Sequence, residues 1–486
     1  MSIKQKAIQG VVWSIVRNWG SQAGTLIIFF ILARLVEPQD FGLIALANVF
    51  LGFMRLFLEQ GFGQAIIQRE DLEPEHLNTA FWINLAVGVL LAAMGFSGAG
   101  LAANVFGEPA LTPILRCFSV LFIVSALNKV QQSILERKFQ YKTIAARWLV
   151  ATFAGGAIGI LMAWRGFGVW SLVAQQMVYE ALGSITLWVC SDWRPGFKVS
   201  ARHFHDLFGI GVHIMGFNFL TFFNTRINDF LVGYFLGATA LGYYTVAYKV
   251  LNVMTQLLVN TTRDVALPTF SRLQSDPERF RRAFYKATQL TSTIAFPTFL
   301  GMAVLAPELN VLLFGEQWAP SIPLMRILAF MGVLRAITFF KGSVFVAMGK
   351  PAWWFWLSVL NATLNLVGFA IALPFGIMAV TAASVIRGYL VFPVGQWAVS
   401  KLIQERLSTY LGTFVAPVSS AVVMAGVILI VRAALQDVLK PLELLIVGTA
   451  IGSLVYVTMI YLISPKLFTE LLGIARMVAS RSKTQS

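Results

Sequence analysis

Charged residues are scarce in this chain. They make up 12% of its 486 residues, about half the share found in ordinary soluble domains. Hydrophobic residues reach 57%, and the mean hydropathy is +0.74. This balance excludes an ordinary soluble globular protein and predicts a polytopic membrane protein.

Cysteine and histidine are also rare. The two cysteines, Cys117 and Cys190, lie in apolar stretches, which argues against a disulfide framework or a cysteine-rich zinc site. His203 and His205 stand close together, but we expect no carboxylate or cysteine partner near them and therefore predict no metal site. The sequence contains no Walker motif or phosphate-cradling glycine loop, so we predict no direct use of ATP and no cofactor.

The positive charge follows the loops between apolar runs. The formal net charge is +15, and most Lys and Arg residues lie in alternate loops. The positive-inside rule places those loops in the cytoplasm, and with them both termini. The acidic loop at 69–75 departs from this pattern. Topology explains the charge better than nucleic-acid binding does, and we predict no nucleic-acid partner.

About fourteen apolar stretches are long enough to cross a bilayer core, which needs about 20 residues of helix. We therefore predict an all-α integral membrane protein with about 14 transmembrane helices. The predicted spans are 11–33, 41–61, 79–101, 111–131, 143–163, 168–189, 209–232, 241–260, 291–312, 323–344, 353–373, 376–395, 411–431 and 442–463.

Internal matches indicate a duplication. Val105–Glu108 reappears as Leu313–Glu316 at a shift of 208 residues, and Gly42 matches Gly242 at a shift of 200. Phe and Gly are abundant, so a single match could arise by chance, whereas agreement at separate places favours a repeat. Six spans in each unit make the repeats parallel and predict two six-helix lobes around a pseudo-two-fold axis along the membrane normal, plus two extra C-terminal helices.

The predicted organisation follows from that repeat. It comprises an N-terminal lobe at 1–190, a cytoplasmic linker at 191–208, a C-terminal lobe at 209–400 with an amphipathic cytoplasmic segment at 264–286, two further spans within 401–465, and a basic cytoplasmic tail at 466–486.

Four passages carry a family resemblance. ARLVEPQDFGL at 33–43 and EQGFGQAIIQR at 59–69, with WRP at 193–195 and LGYY at 241–244, resemble Wzx-type polysaccharide flippases. These belong to the multidrug/oligosaccharidyl-lipid/polysaccharide exporter superfamily, and the colanic-acid exporter branch is the most similar. The resemblance covers roughly the first 400 residues.

The resemblance implies a function. It suggests alternating-access transport of an undecaprenyl-diphosphate-linked oligosaccharide across the bacterial plasma (inner) membrane, for lipopolysaccharide, O-antigen or exopolysaccharide synthesis. The implied partners are this lipid-linked substrate, the bilayer, and a polysaccharide polymerase with its export machinery. A proton or sodium gradient is the implied energy source.

Charged groups inside spans cost about 2.5 to 3.5 kcal/mol on insertion scales, so each is a functional candidate. A diphosphate headgroup needs cationic partners, and arginine is especially suited to it. We predict no catalytic residues. The headgroup candidates are Arg17, Arg226, Lys249, Arg335 and Arg387, and the cation-coupling candidates are Asp229 and Glu180.

Each candidate also has a structural interpretation. Arg226 and Asp229 are three residues apart and are expected to pair, with Lys249 at similar depth. The three residues form either a transport cluster or a static ion pair that locks two helices. Arg17 either holds the headgroup or extends to the cytoplasmic surface. The i,i+4 spacing of Arg55 and Glu59 favours a structural pair.

The sequence also allows two rival functions. A cation-coupled multidrug exporter would favour acidic over basic residues inside the membrane, opposite to the balance here. A membrane glycosyltransferase or polymerase would need carboxylates or histidines gathered on one face, and the outer loops show no such gathering.

Overall fold

The computed structural model describes residues 20, 22–58, 61–258, 263–404 and 406–473. Throughout these ranges the regular elements are helices, and no strand occurs in them. The predicted all-α class is confirmed. A helical architecture suits a bilayer, because a helix satisfies its backbone hydrogen bonds within its own segment.

Two compact units divide the chain, Met1–Thr245 and Val246–Ser486. Among the described residues of the first unit, eight helices begin: α1 Gln22–Leu35, α2 Pro38–Leu58, α3 Phe62–Gln68, α4 Pro74–Phe106, α5 Leu111–Arg137, α6 Tyr141–Trp164, α7 Val169–Cys190 and α8 Ala201–Leu258. Helix α8 crosses the boundary between the units and is interrupted at Gly237, whose φ is 82°.

Before residue 464, the described part of the second unit contains ten further α-helices. They are α9 Arg263–Leu273, α10 Pro277–Val304, α11 Ala306–Leu313, α12 Ile322–Thr338, α13 Lys341–Ala347, α14 Pro351–Ala372, α15 Gly376–Ile403, α16 Leu407–Gly412, α17 Val415–Leu435 and α18 Pro441–Ile463. Residues 465–473 are also helical. The unit boundary comes later in the chain than the predicted linker at 191–208, and the predicted lobes stay a prediction.

Long apolar helices dominate both units. Among the described residues, nine helical stretches have the length and hydropathy of a membrane span, or ten if α10 and α11 form one span bent by 78°. Proline and glycine mark several ends: Pro74 opens α4, and Gly107, with φ 64°, closes it. This arrangement confirms a multi-pass helical membrane protein, while the count of fourteen spans stays a prediction.

Packing within each unit is helix against helix. In the first unit α4 lies on α5, and α7 packs against α5 and α6. In the second, α10 packs against α12 and α17, and α14 pairs with α15. Fully buried aromatic rings fill these contacts, including Phe118 and Phe122 in the first unit and Phe296, Phe299 and Trp318 in the second.

Two glycines make a reciprocal contact in the first unit. A Cβ at Gly42 would overlap the carbonyl oxygen of Ala238, and a Cβ at Gly242 would overlap the carbonyl oxygen of Pro38. Both pairs are related by the same shift of 200 residues. Such reciprocity is what a two-fold relation between duplicated segments produces. It also explains why two of the passages behind the family resemblance carry glycine at these positions.

The segment 264–286 differs from the expected single amphipathic helix. It contains nearly all of α9, a turn and the start of α10, where the Asp276 carboxylate accepts a hydrogen bond from the Arg279 backbone N–H. Phe270, Phe280 and Phe284 are buried in protein, with the Phe270 and Phe280 ring centroids 5.2 Å apart. The aromatic residues therefore build a core contact rather than a face toward lipid.

Candidate functional site

A polar cavity of about 460 Å³ lies within the first unit. Among the described residues, its lining contains three cationic and two acidic side chains together with amides and hydroxyls. These are Arg55, Lys129, Arg147, Glu136, Glu180, Gln64, Asn84, Asn128, Gln132, Ser125 and Ser133. Helices α2 to α7 all contribute, so helices that are apolar overall enclose a water-like interior.

Arg147 organises one wall of this polar cavity. Its Nε donates to the Gly183 carbonyl at 3.1 Å, and one terminal nitrogen donates to Gln132 Oε1 at 3.0 Å. Gln132 in turn donates to Glu136 at 2.9 Å. The guanidinium also lies 5.7 Å from the centre of the Trp148 ring. This network holds a buried charge in one position and leaves polar and aromatic surface facing the cavity.

Arg55 and Glu180 form an ion pair at 3.3 Å across the polar cavity's lining. The carboxylate also accepts a hydrogen bond from Gln176 at 3.4 Å. The expected Arg55 partner was Glu59, which lies outside the described residues; the structure gives Arg55 a partner 125 residues away. The predicted coupling residue Glu180 thus lines a cavity beside a cation.

The passage at 59–69 supplies another wall. Gly61, Phe62, Gly63, Gln64 and Ile67 all line the polar cavity. Gly61 has φ 76°, a left-handed conformation that favours glycine and starts α3 immediately after the turn. This passage therefore shapes the cavity through its backbone as much as through its side chains.

Arg226 and Asp229 pair as predicted. Their side chains lie 3.1 Å apart on α8, in the first unit. Lys249 falls in the second unit, so the proposed three-residue cluster stays a prediction. Arg17 lies outside the described residues.

The second unit holds the remaining predicted cations on separate contacts. Arg335 donates to Asn252 Oδ1 at 2.8 Å. Arg387 donates to both the backbone carbonyl and Oδ1 of Asn361, at 3.1 and 2.6 Å. Amides therefore position both guanidinium groups.

Some buried charges escaped the sequence reasoning. Lys341 is buried and lies 5.1 Å from the centre of the Phe392 ring. The buried Glu308 carboxylate forms an ion pair with Arg432 at 2.7 Å. These groups lie near predicted span ends, where a charge is ordinarily taken to extend to the surface. Their position in the sequence is the same whether the side chain is buried or reaches the surface.

The second unit also contains an apolar cavity of about 520 Å³. Helices α10, α17 and α18 provide most of its lining, which consists largely of Met, Ile, Leu, Gly and Thr residues. Examples are Met254, Ile294, Gly301, Met424 and Thr449. It offers dispersion contacts and few polar partners.

The expectation that His203 has no carboxylate partner is wrong. Its Nε2 lies 3.0 Å from Glu73 Oε2, and its ring centroid lies 4.2 Å from that of His76. The three residues are brought together by the packing of the α4 and α8 starts, which sequence separation concealed.

Comparison with known proteins places this architecture. The model of a family described as "Polysaccharide biosynthesis protein" matches residues 31–323, more than half of the chain. The chain belongs to this family. The matched region includes all the residues that line the polar cavity.

Two named relatives add to the similarity. The chain is 28% identical over 489 residues to the succinoglycan biosynthesis transport protein ExoT of Rhizobium meliloti strain 1021, covering 96% of this chain and 95% of ExoT. It is 25% identical over 352 residues to the lipopolysaccharide biosynthesis protein WzxC of Escherichia coli K12, covering 72% of each.

A solved structure shares the fold. The lipid II flippase MurJ in an inward closed conformation matches with a TM-score of 0.75 at 15% identity, covering 94% of this chain and 99% of MurJ. At that identity the match shows the fold, which agrees with the predicted all-α membrane architecture.

Proposed function

We propose that this protein is a flippase that moves a lipid-diphosphate-linked oligosaccharide across the bacterial inner membrane by alternating access. The observation that carries the proposal is the polar cavity enclosed by apolar helices, with an excess of cationic over acidic groups among its described lining residues. Membership in the polysaccharide biosynthesis family supports a glycan cargo. The names of ExoT and WzxC point to transport and to lipopolysaccharide synthesis.

The chemistry of the polar cavity suits such a cargo. Oligosaccharides present hydroxyl groups that pair with amides and carboxylates, and a diphosphate pairs with arginine and lysine. Arg55, Lys129 and Arg147 supply the cationic groups. In this proposal the cavity receives the polar part of the cargo, with Arg55 released from Glu180 when an anionic group arrives.

The remaining predicted residues extend this proposal. Arg17, Arg226, Lys249, Arg335 and Arg387 would provide further contacts for the diphosphate along its path. Asp229 and Glu180 would bind the coupling proton or sodium ion. The apolar cavity would hold a segment of the polyprenyl chain, whose contacts there are dispersive.

The cellular setting follows from the cargo. We propose a multi-pass protein of the inner membrane with both termini in the cytoplasm, acting beside a polysaccharide polymerase and export machinery. On this proposal the protein is a transporter rather than an enzyme, because the bonds of the cargo are unchanged by passage.

The decisive experiment is extraction of lipids from cells that lack the gene. Mass analysis identifies the lipid-linked oligosaccharides, and a membrane-impermeant sugar-oxidising reagent on inverted and right-side-out vesicles assigns their leaflet. We expect one complete repeat unit to accumulate in the cytoplasmic leaflet. An unchanged lipid pool with altered drug sensitivity would favour multidrug export, and incomplete units would favour an enzyme; either result would overturn the proposal.

A further inference from the structure

Two of the four histidines of the chain meet on the first unit, where α4 and α8 begin. His76 belongs to the first turn of α4, and His203 belongs to the first turn of α8. Glu73 precedes α4, and its carboxylate reaches His203 Nε2 at 3.0 Å. One potential metal-ligating atom from each of the three residues lies within 4.8 Å of the other two.

This cluster is held in place by contacts that do not involve its own side chains. Asn78 Oδ1 accepts a hydrogen bond from the Gly196 backbone N–H at 2.8 Å, and Thr79 Oγ1 accepts one from the Ser200 N–H at 3.1 Å. The Trp82 indole donates to the Gly196 carbonyl at 2.8 Å. The chain that leads into α8 is therefore fastened to the first turns of α4, and the two histidines are preorganised.

A buried ring nitrogen of the cluster is available to bind a ligand. His76 is only 1% exposed, and within the described part of the chain its buried Nε2 has no hydrogen-bond partner. His203 faces the cluster through Nε2, which lies 3.0 Å from Glu73 Oε2. Asp206 Oδ2 lies 3.5 Å from His76 Nε2, beyond good hydrogen-bond geometry but close enough to serve as a further ligand. Buried polar atoms without partners call for an explanation such as an ion.

We propose that Glu73, His76 and His203 form a binding site for a divalent transition metal of the zinc type, with Asp206 or water as the fourth ligand. Imidazole nitrogen and carboxylate oxygen are typical zinc ligands, with bonds of about 2.0 to 2.2 Å. The present spacing requires the side chains to close on the ion by about 1 Å. Glu73 is free to make that movement because its side chain is 62% exposed.

Two local contacts limit the affinity of the site. The Glu73 backbone N–H donates to His76 Nδ1 at 3.2 Å. Metal binding through Nε2 would put the imidazole proton on Nδ1 and replace this hydrogen bond. Arg69 lies 3.2 Å from Asp206 and competes for its carboxylate. We therefore expect a dissociation constant in the micromolar range, weaker than that of a closed structural zinc site.

The bound metal would act as a clamp. Glu73 and His203 are 130 residues apart in sequence, so a shared ion ties the start of α4 to the start of α8. Because the ion binds the folded chain and not the unfolded one, it raises thermal stability, and the gain grows with the logarithm of the metal concentration above the dissociation constant. Metal binding at this site does not depend on the identity of the transported cargo.

Cobalt titration of the purified protein tests the site. The full chain, carrying an affinity tag without histidines, is titrated with Co²⁺ in detergent, and the visible d–d absorbance of tetrahedral cobalt reports binding; Zn²⁺ then displaces it. We expect one Co²⁺ per chain. His203→Ala should weaken binding by at least about tenfold, whereas His205→Ala, two residues away and outside the cluster, should bind like the parent.

Thermal unfolding separates metal binding from folding. Zn²⁺ should raise the Tm of the parent protein and of His205→Ala but leave that of His203→Ala unchanged, while all three share one metal-free Tm. Glu73→Gln, at an exposed side chain, provides a second variant with the same expected loss of cobalt binding. Lack of saturable Co²⁺ absorbance, or equal binding by His203→Ala and His205→Ala, would overturn the proposal.

Discussion

The cavities of the two units are nearly equal in size and opposite in chemistry. The first unit encloses about 460 Å³ lined by Arg, Lys, Glu, Asn and Gln side chains. The second encloses about 520 Å³ lined mostly by Met, Ile, Leu, Gly and Thr. Both lie between apolar helices, and the lining residues give each cavity its chemistry.

The contrast between the polar and the apolar cavity suits an amphipathic cargo. Volume says little about a ligand, whereas the placement of polar groups sets which part of it is held. A lipid-linked oligosaccharide has a charged, hydroxyl-rich end and a long apolar chain. The polar cavity matches the first part and the apolar cavity matches the second, and each assignment can be tested separately.

The largest effect is expected from Arg147 in the polar cavity. Arg147→Gln removes a charge and two hydrogen bonds to Gln132 and Gly183. Hydrogen bonds to charged groups are worth about 1.5 to 3 kcal/mol, so we expect the rate of lipid-linked oligosaccharide transfer in proteoliposomes to fall about 10- to 100-fold. Arg147→Lys should lie between this variant and the parent, because lysine keeps the charge without the planar fork.

Arg165→Gln is the matched control for Arg147. Arg165 caps the C-terminal end of the same helix, α6, and is exposed. The Arg165→Gln variant loses the same charge as Arg147→Gln and should transport normally. If the transport rates of Arg147→Gln and Arg165→Gln fall equally, at equal protein levels and Tm, the net charge of the protein rather than the polar cavity determines transport.

A filled apolar cavity should give the next largest effect. Gly301 lines this cavity, and the nearest atom to a Cβ built there is Met424 Cε at 3.9 Å. Gly301→Leu should therefore fold and occupy the space. The leucine takes space that the polyprenyl chain would fill, and loss of about two buried CH₂ groups at about 0.8 kcal/mol each should lower transport of the full-length polyprenyl substrate about tenfold, while a short-chain analogue is affected less.

Gly426→Leu makes the same substitution outside the apolar cavity. A Cβ at Gly426 meets nothing within 4 Å, and Gly426 does not line the cavity. It should leave transport unchanged. If both leucine variants slow the long-chain and the short-chain substrates equally, the apolar cavity has no special part in holding the chain.

Sequence predicted the helices better than the cavities. Apolar length located α4 at 79–101, and the helix runs over Pro74–Phe106, because polar residues beyond the apolar run continue the same hydrogen-bonded helix. Arg55 contacts Glu180, 125 residues away on α7, and its local spacing did not predict this contact. Pairings of that kind depend on which helices pack together, and local spacing carries no information about it.

Asp229→Asn should have a smaller effect and addresses energy coupling. The substitution keeps the shape of the side chain and removes the charge that pairs with Arg226 at 3.1 Å. If Asp229 binds the coupling cation, transport should fall about fivefold, as expected for loss of about 1 kcal/mol, and should no longer respond to an imposed proton or sodium gradient. Asn228→Asp, next to it on α8, is the reciprocal control. A normal gradient response in Asp229→Asn would leave Arg226 and Asp229 as a static ion pair.

The smallest effect on transport is expected from the ion pair of Arg432 and Glu308, which tests whether charges of the second unit serve stability. Glu308 is 6% exposed and lies 2.7 Å from Arg432. Arg432→Met leaves a buried carboxylate without its cation and should lower the free energy of unfolding by up to about 3 kcal/mol. Lys286→Met breaks the half-exposed pair with Glu470 and should cost about 0.5 kcal/mol or less. Transport per folded molecule, measured against protein that survives gentle heating, should be unchanged in both. If Arg432→Met lost transport without a lower Tm, the second unit would also use charge in transport. The assignment of the charged end of the cargo to the polar cavity and of its chain to the apolar cavity would then be wrong.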